Sequence, residues 1–263
     1  MTLSFQRPLL MGILNITPDS FSDGGQFLDP EKALQQITQL KSDGADIIDI
    51  GAQSTFGPEA LIDADEEWQR LEPVLSAIDF SETFVSLDTF RAPVAEKALS
   101  LGVQMINDVT ALRGDPELRE VLLKHKPWYA MMYSAYETPY AQKEMIHYED
   151  VISDISAFLR HHADQLTEAG FPKDHLIVDP GLGFFISAEA QYSWEILARL
   201  DELEELGYPI LVGPSMKSFL GVPIEERHEK TLEASELALK NGAKILRVHH
   251  LPEHRKLVDD SSH

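Results

Sequence analysis

Eight short apolar, β-prone runs punctuate the chain, at residues 9–16, 45–51, 84–88, 105–109, 128–132, 176–178, 210–213 and 244–248. Each is continuous in Ile, Val, Leu or Met rather than alternating, the pattern of strands buried on both faces of a parallel sheet. Helix-compatible stretches lie between them. Leu71, Val74, Leu75 and Ile78 recur at helical spacing, as do Val151, Ile152, Ile155, Phe158, Leu159 and Leu166. Asp29-Pro30, Arg91-Ala-Pro93 and Gly114-Asp115-Pro116 announce helix starts. Gly44, Gly102, Gly170, Gly207 and Gly242 each fall just before a strand, where a helix C-terminal glycine belongs. Eight βα units in 263 residues predict one α/β domain over residues 1–263, a (β/α)8 barrel. A doubly wound open sheet is the alternative, but the loop after Ile16 lacks the G-x-G-x-x-G spacing of its first turn. The tail from Leu251 to His263 is short and polar, which argues for a truncated eighth helix.

Charge narrows the function. With 44 acidic against 22 basic residues the net charge is −22, and no basic cluster offers a nucleic-acid footprint. Acidic stretches at 63–72 and 201–205 read as solvated helix faces. An anionic substrate is repelled by the molecule as a whole, so any anion site must be built locally from a few placed cations. The absence of cysteine excludes disulfides and thiolate chemistry. No apolar run approaches the ~20 residues of a membrane span, and no charged-then-apolar leader precedes the first strand. The expectation is a cytoplasmic enzyme with no membrane or nucleic-acid partner.

A barrel places its chemistry at the C-terminal ends of its strands. Those ends carry Asn15, then Gln53-Ser54-Thr55, Asp88, Asn107-Asp108, Met131-Met132, Asp179, Ser215 with Lys217, and Arg247 with His249. Asp88 or Asn107 alone reads as a helix cap; their shared position favours a site. Asp88, Asn107 and Asp179 can pair with the amino and ring N–H edge of a flat polar heterocycle, with Phe184 as an aromatic wall. Lys217, Arg247 and His249 come from strands seven and eight, where barrels commonly bind phosphate. Thr55 and Asn15 can add neutral bonds to that anion, and Asn15 can also help hold Mg2+, which prefers oxygen ligands and substrate phosphate.

These residues resemble a known family. Met11-Gly-Ile-Leu-Asn-Ile-Thr-Pro-Asp-Ser-Phe-Ser-Asp-Gly-Gly25 is similar to the N-terminal signature of dihydropteroate synthases. So are Gly44-Ala-Asp-Ile-Ile-Asp-Ile-Gly51, Ser54-Thr55, Val85-Ser-Leu-Asp-Thr89, Ile106-Asn-Asp-Val109, Val178-Asp-Pro-Gly-Leu-Gly-Phe184, Lys217-Ser218-Phe219 and Ile245-Leu-Arg-Val-His249. The resemblance runs through essentially the whole chain. It implies a TIM barrel and a homodimer. It also implies Mg2+-dependent condensation of 6-hydroxymethyl-7,8-dihydropterin diphosphate with p-aminobenzoate, releasing pyrophosphate. Asp88, Asn107, Met131, Asp179, Phe184 and Lys217 then match pterin positions. Asn15, Thr55, Arg247 and His249 match diphosphate positions, Asn15 also the metal position. Phe21, Phe184, Lys217 and Ser218 match the p-aminobenzoate pocket. Asp88, Lys217, Arg247 and His249 carry the catalytic roles.

The sequence also departs from the family. An arginine is replaced by Phe56 in the second loop and another by Met216; Phe185-Ile186 replaces Gly-Lys, and strand five reads Met131-Met132-Tyr133 in place of Met-His-Met. His250 stands where aspartate is usual. Drift in loops that keep activity explains these changes, and so does a changed amine site, with altered sulfonamide response. Two other readings share the pterin residues: a pterin-binding paralogue without catalysis, and a methyltetrahydrofolate–corrinoid methyltransferase barrel. The second needs neither the long first loop nor a diphosphate site.

Overall fold

The computed structural model describes residues 2–16, 30–53 and 61–260. Strands and helices alternate: β1 (Leu9–Asn15), α1 (Pro30–Ser42), β2 (Ile47–Gly51), α2 (Ala64–Leu75), β3 (Val85–Asp88), α3 (Ala92–Leu101), β4 (Met105–Asp108) and α4 (Leu118–His125). There follow β5 (Trp128–Met132), α5 (Val151–Glu168), β6 (Leu176–Asp179), α6 (Ala190–Ala198), β7 (Leu211–Val212), α7 (Arg227–Lys240), β8 (Ile245–Val248) and α8 (Leu251–Asp260). All strand pairs are parallel, in the order β6-β5-β4-β3-β2-β1-β8-β7. A single bridge, Val178 to Ile210, closes the sheet into a barrel between β6 and β7. The fold is the (β/α)8 barrel expected from the strand spacing.

Side chains alternate across a strand, and here the alternation separates two apolar layers. Leu9, Met11, Ile47, Met105, Trp128, Ala130, Ile177, Leu211 and Ile245 fill the lower barrel. Leu10, Ile48, Val85, Ile106, Tyr129, Val178 and Leu246 face the helices. Two residues further along the inward parity, the plug becomes polar. Asp49 follows Ile47, Asn107 follows Met105, Asp179 follows Ile177 and Arg247 follows Ile245. The alternation that buries the core thus also delivers the polar groups to the barrel mouth.

Helix ends follow the expected chemistry. Asp63 caps α2 by accepting the Glu66 N–H at 2.8 Å, and Asp150 caps α5 by accepting from Ile152 and Ser153. Pro93 sits in the first turn of α3. The five expected helix-terminal glycines all have positive φ. At Gly102 (φ 122°) a Cβ would also meet the Phe80 ring at 2.9 Å, so both conformation and space require glycine.

The eighth helix corrects the expectation of truncation. α8 runs ten residues and buries Leu251, His254 and Val258. A histidine completes its inner face, with Nε2 3.0 Å from Ser235 Oγ on α7, and that polar residue hides the stripe from a reading of apolar spacing alone. Among the described residues no helix is long and apolar enough to cross a membrane.

Candidate active site

The mouth is organised around Arg247. Its Nε donates to Asp49 Oδ2 at 2.6 Å and its Nη2 to Asp88 Oδ2 at 2.7 Å, so one guanidinium bridges carboxylates from β2 and β3. Asn107 Nδ2 donates to the same Asp49 oxygen at 3.3 Å. Burial disfavours the charge on Arg247, but Asp49 and Asp88 more than compensate and raise its pKa. Asp88 is half-buried, and its loss of solvation outweighs the attraction of Arg247, while Asp49 repels its charge. Its pKa is raised to about 7.

A second charge pair lies opposite. Asp179 at the end of β6 is buried and accepts the Gly181 N–H at 2.7 Å. Burial raises its pKa against the pull of Lys217. Lys217 loses solvation in turn, and its pKa falls to about 8 despite the attraction of Asp179. Gly181 (φ 70°) makes this turn possible: a Cβ there would lie 2.4 Å from the Tyr133 carbonyl oxygen. Three carboxylates thus face one guanidinium and one ammonium, and their surplus negative charge adds to burial in raising the Asp88 pKa.

His249 meets the mouth as a neutral ring rather than as a second cation beside Arg247. Its backbone N–H donates to Ser215 Oγ at 3.3 Å, which leaves that hydroxyl hydrogen free to donate to Nδ1 at 2.9 Å. The proton then belongs on Nε2. One edge of the ring is open to solvent, yet the protein packed on its inner side desolvates it. Arg247 and His250 also repel a proton, and the pKa is lowered to about 4. His249 is therefore a neutral N–H donor at pH 7. Its neighbour His250 turns away and packs edge-on against His228, ring centroids 4.6 Å apart.

Asn15 lies exposed at the end of β1, in register with Gly51. Phe184 is half-buried in the turn Gly183–Phe185, with Lys143 Nζ 5.5 Å from its ring centroid. Ser218 begins the turn Ser218–Leu220 next to Lys217. Thr55, Phe21 and Phe56 lie outside the described residues. Met131 is not brought to the mouth: it is fully buried in the layer under the helices, in register with Asp108. Strand alternation gives the inward position to Met132, in register with Asp179.

The substituted positions separate by burial. Phe185 is 7% exposed and Ile186 fully buried, and Ile186 packs beside Gly181 while its carbonyl accepts the Tyr148 hydroxyl at 2.8 Å. They are core residues that dock the loop between β5 and α5, a place where a lysine could not stay charged. Met216 holds a left-handed backbone (φ 59°), its carbonyl accepting from Arg227 Nη1 at 2.9 Å.

Two further groups were not singled out by sequence. Asp49 is wholly buried; a lone carboxylate inside Ile47-Ile48-Asp49-Ile50-Gly51 was the available signal, since such a charge needs a cation on a facing strand. Arg91 donates to Gln53 Oε1 at 2.7 Å, to buried Glu67 at 2.5 Å and to the Ile62 carbonyl. It ties the two feet of the second loop together. Among the described residues no three His, Cys, Asp or Glu side chains cluster as a metal cage. A cavity of about 650 Å3 at the opposite end of the barrel is lined by Leu3, Gln6, Arg7, Leu9, Asp46 and Phe84 among others, and Arg7 there is already paired with Asp46.

A family model described as pterin binding enzyme matches residues 11–249. A probable bifunctional folylpolyglutamate synthase/dihydropteroate synthase of Haloferax volcanii is 40% identical over 253 residues, covering 95% of this chain and 30% of that longer protein. The dihydropteroate synthase of Haemophilus influenzae is 36% identical over 252 residues, covering 94% of this chain and 90% of the relative. A crystal structure of dihydropteroate synthase from Clostridium difficile, in the presence of pteroic acid, aligns with a TM-score of 0.88. It shares 36% identity and covers 99% of this chain and 98% of that one.

Proposed function

This chain belongs to the dihydropteroate synthases of the pterin-binding enzyme family, and we propose that its barrel mouth condenses a dihydropterin diphosphate with p-aminobenzoate by letting the diphosphate depart before the amine attacks. The observation that carries this reading is the convergence of two opposite kinds of group at one mouth. Asp88, Asn107 and Asp179 can accept from and orient a heterocycle, while Arg247 and the Ser215-fixed His249 present donors to an anion. Such an arrangement suits a substrate that becomes cationic at its heterocyclic end as negative charge develops on its leaving group.

Arg247 and His249 Nε2 stabilise charge developing on the leaving oxygen. The C–O bond breaks with its electron pair going to pyrophosphate. The exocyclic carbon, now cationic, is stabilised by the electron-rich pterin and by the Asp88 carboxylate. The arylamine nitrogen then forms the C–N bond, and its surplus proton leaves to solvent. No protein nucleophile is required, because the arylamine itself attacks, and no strong base, because an aniline is unprotonated at pH 7; positioning supplies the rest. Asn15, exposed at the end of β1, offers an oxygen to Mg2+, which binds through few protein ligands plus substrate phosphate. When bound there, Mg2+ supplies further neutralisation of the leaving diphosphate.

The second substrate's carboxylate needs a cation, and Lys143 over Phe184 supplies one from the loop between β5 and α5. The resemblance further supports a homodimer, and the lack of cysteine is in keeping with a cytoplasmic location. Incubation with pterin diphosphate, Mg2+ and p-aminobenzoate should yield 7,8-dihydropteroate on chromatography. Pterin binding without product would instead favour a non-catalytic paralogue.

A further inference from the structure

The same guanidinium holds two carboxylates of unequal accessibility. The Asp49 side chain is fully buried and that of Asp88 is 19% exposed. Asp49 Oδ2 accepts from Arg247 and Asn107, and its other oxygen, Oδ1, is buried and accepts no protein hydrogen bond. Among the described residues Arg247 is its only direct ion-pair partner. The Asp49 backbone is fixed by register with Ile13 on β1 and Ser86 on β3. Separating Arg247 from Asp49 would strand a carboxylate where neither water nor substrate can reach it. Separating Arg247 from Asp88 carries no such penalty, since the heterocycle N–H groups can take the place of the guanidinium.

We propose that Asp49 is a positioning residue, the permanent anchor of Arg247, and that Asp88 is a temporary partner which the heterocycle displaces. The inference rests on the condensation reading above. In this structure Arg247 is clamped by both carboxylates, through Nε and Nη2. When the pterin edge engages Asp88, Nη2 is released while Nε stays on Asp49. The guanidinium then pivots about a fixed point and offers Nη1 and Nη2 to the diphosphate. Occupying the heterocycle pocket thereby arms the anion site, and the two halves of one substrate are recognised in sequence.

The test compares affinities for 6-hydroxymethylpterin and for its diphosphate by titration calorimetry, in the wild type, Asp49→Asn and Asp88→Asn. The ratio of the two affinities isolates what the anion site contributes. In Asp49→Asn the ratio should fall roughly tenfold or more, the size of a lost charge-assisted contact, and kcat should drop about 10²-fold through misplacement of Arg247. In Asp88→Asn the pterin affinity should fall while the ratio holds. A purely structural role for Asp49 would lower thermal stability but leave the ratio unchanged. An unchanged or higher ratio in Asp49→Asn, or an equal loss in Asp88→Asn, would overturn the proposal. Should Asp49→Asn not fold, NMR of the Arg247 side chain in the wild type decides. Its Nε–H should stay protected from exchange when 6-hydroxymethylpterin binds, and rapid exchange on binding would overturn the anchor. Absence of turnover in the wild type would count against the condensation reading alone, because both binding measurements stand without it.

Discussion

At the scale of single residues, the mouth concentrates perturbed titrations, each with a physical cause. The Asp88 pKa is raised to about 7 by burial and by nearby carboxylates, and that of Lys217 is lowered to about 8 by burial. Asp88 must be ionised to accept from the pterin, and Lys217 must be protonated to offset Asp179. Accordingly, kcat/KM for pterin diphosphate should rise through pH 7 and decline above pH 8. Asp88→Asn should abolish the acid limb; a flat profile between pH 6 and 9 would contradict these roles. Arg247→Ala should weaken diphosphate binding by ~1.5–3 kcal/mol. It should also cost roughly 3–5 kcal/mol of stability, because it leaves the Asp49 carboxylate buried and unpaired. Chemical denaturation and calorimetry measure the two separately. Asp88, Asn107, Asp179 and Arg247 were legible in sequence because each ends an apolar run with a group that has no business in a core. Asp49 was less so, sitting in mid-strand with its partner almost two hundred positions away. The neutral state of His249 comes from the protein packed on its ring and from Arg247, and its tautomer from Ser215, contacts that sequence spacing cannot place.

At the scale of elements, the strands were legible nearly to their ends, since parallel strands buried on both faces admit little but Ile, Val, Leu and Met. The misreadings came from positions where one polar or apolar residue serves another layer. His254 buried under α8 disguised a complete helix, and strand alternation at β5 turned Met131 outward and Met132 inward. The substitutions at Phe185 and Ile186 look like lost cations in sequence, but in space they pack the seam between two loops. Arg91 is a comparable device at the second loop. Arg91→Ala leaves Glu67, 1% exposed, without its cation, and should lower stability by about 3–5 kcal/mol while raising KM for pterin diphosphate. Unchanged denaturation would mean that the tie is dispensable. On the β5–α5 loop, Lys143→Gln should raise KM for p-aminobenzoate by about two- to fivefold, the scale of an exposed charge contact, and leave a neutral arylamine unaffected. Equal effects on both amines would remove Lys143 from carboxylate recognition.

At the scale of the whole molecule, a net charge of −22 surrounds a site that must admit two anionic substrates. Moderate salt screens that repulsion over about 8–10 Å, whereas contacts inside the mouth are screened much less. The capture rate, kcat/KM for pterin diphosphate, should accordingly rise between low salt and physiological ionic strength; a steep fall would show that the local cations dominate the approach. Analytical ultracentrifugation tests the proposed homodimer. The central claim is that pterin and diphosphate groups at one barrel mouth drive condensation with an arylamine, and continuous pyrophosphate release measures it most directly. With pterin diphosphate, Mg2+ and p-aminobenzoate, pyrophosphate should appear in step with dihydropteroate and cease when Mg2+ is chelated. No release under these conditions, or release at the same rate without any amine, would contradict the account.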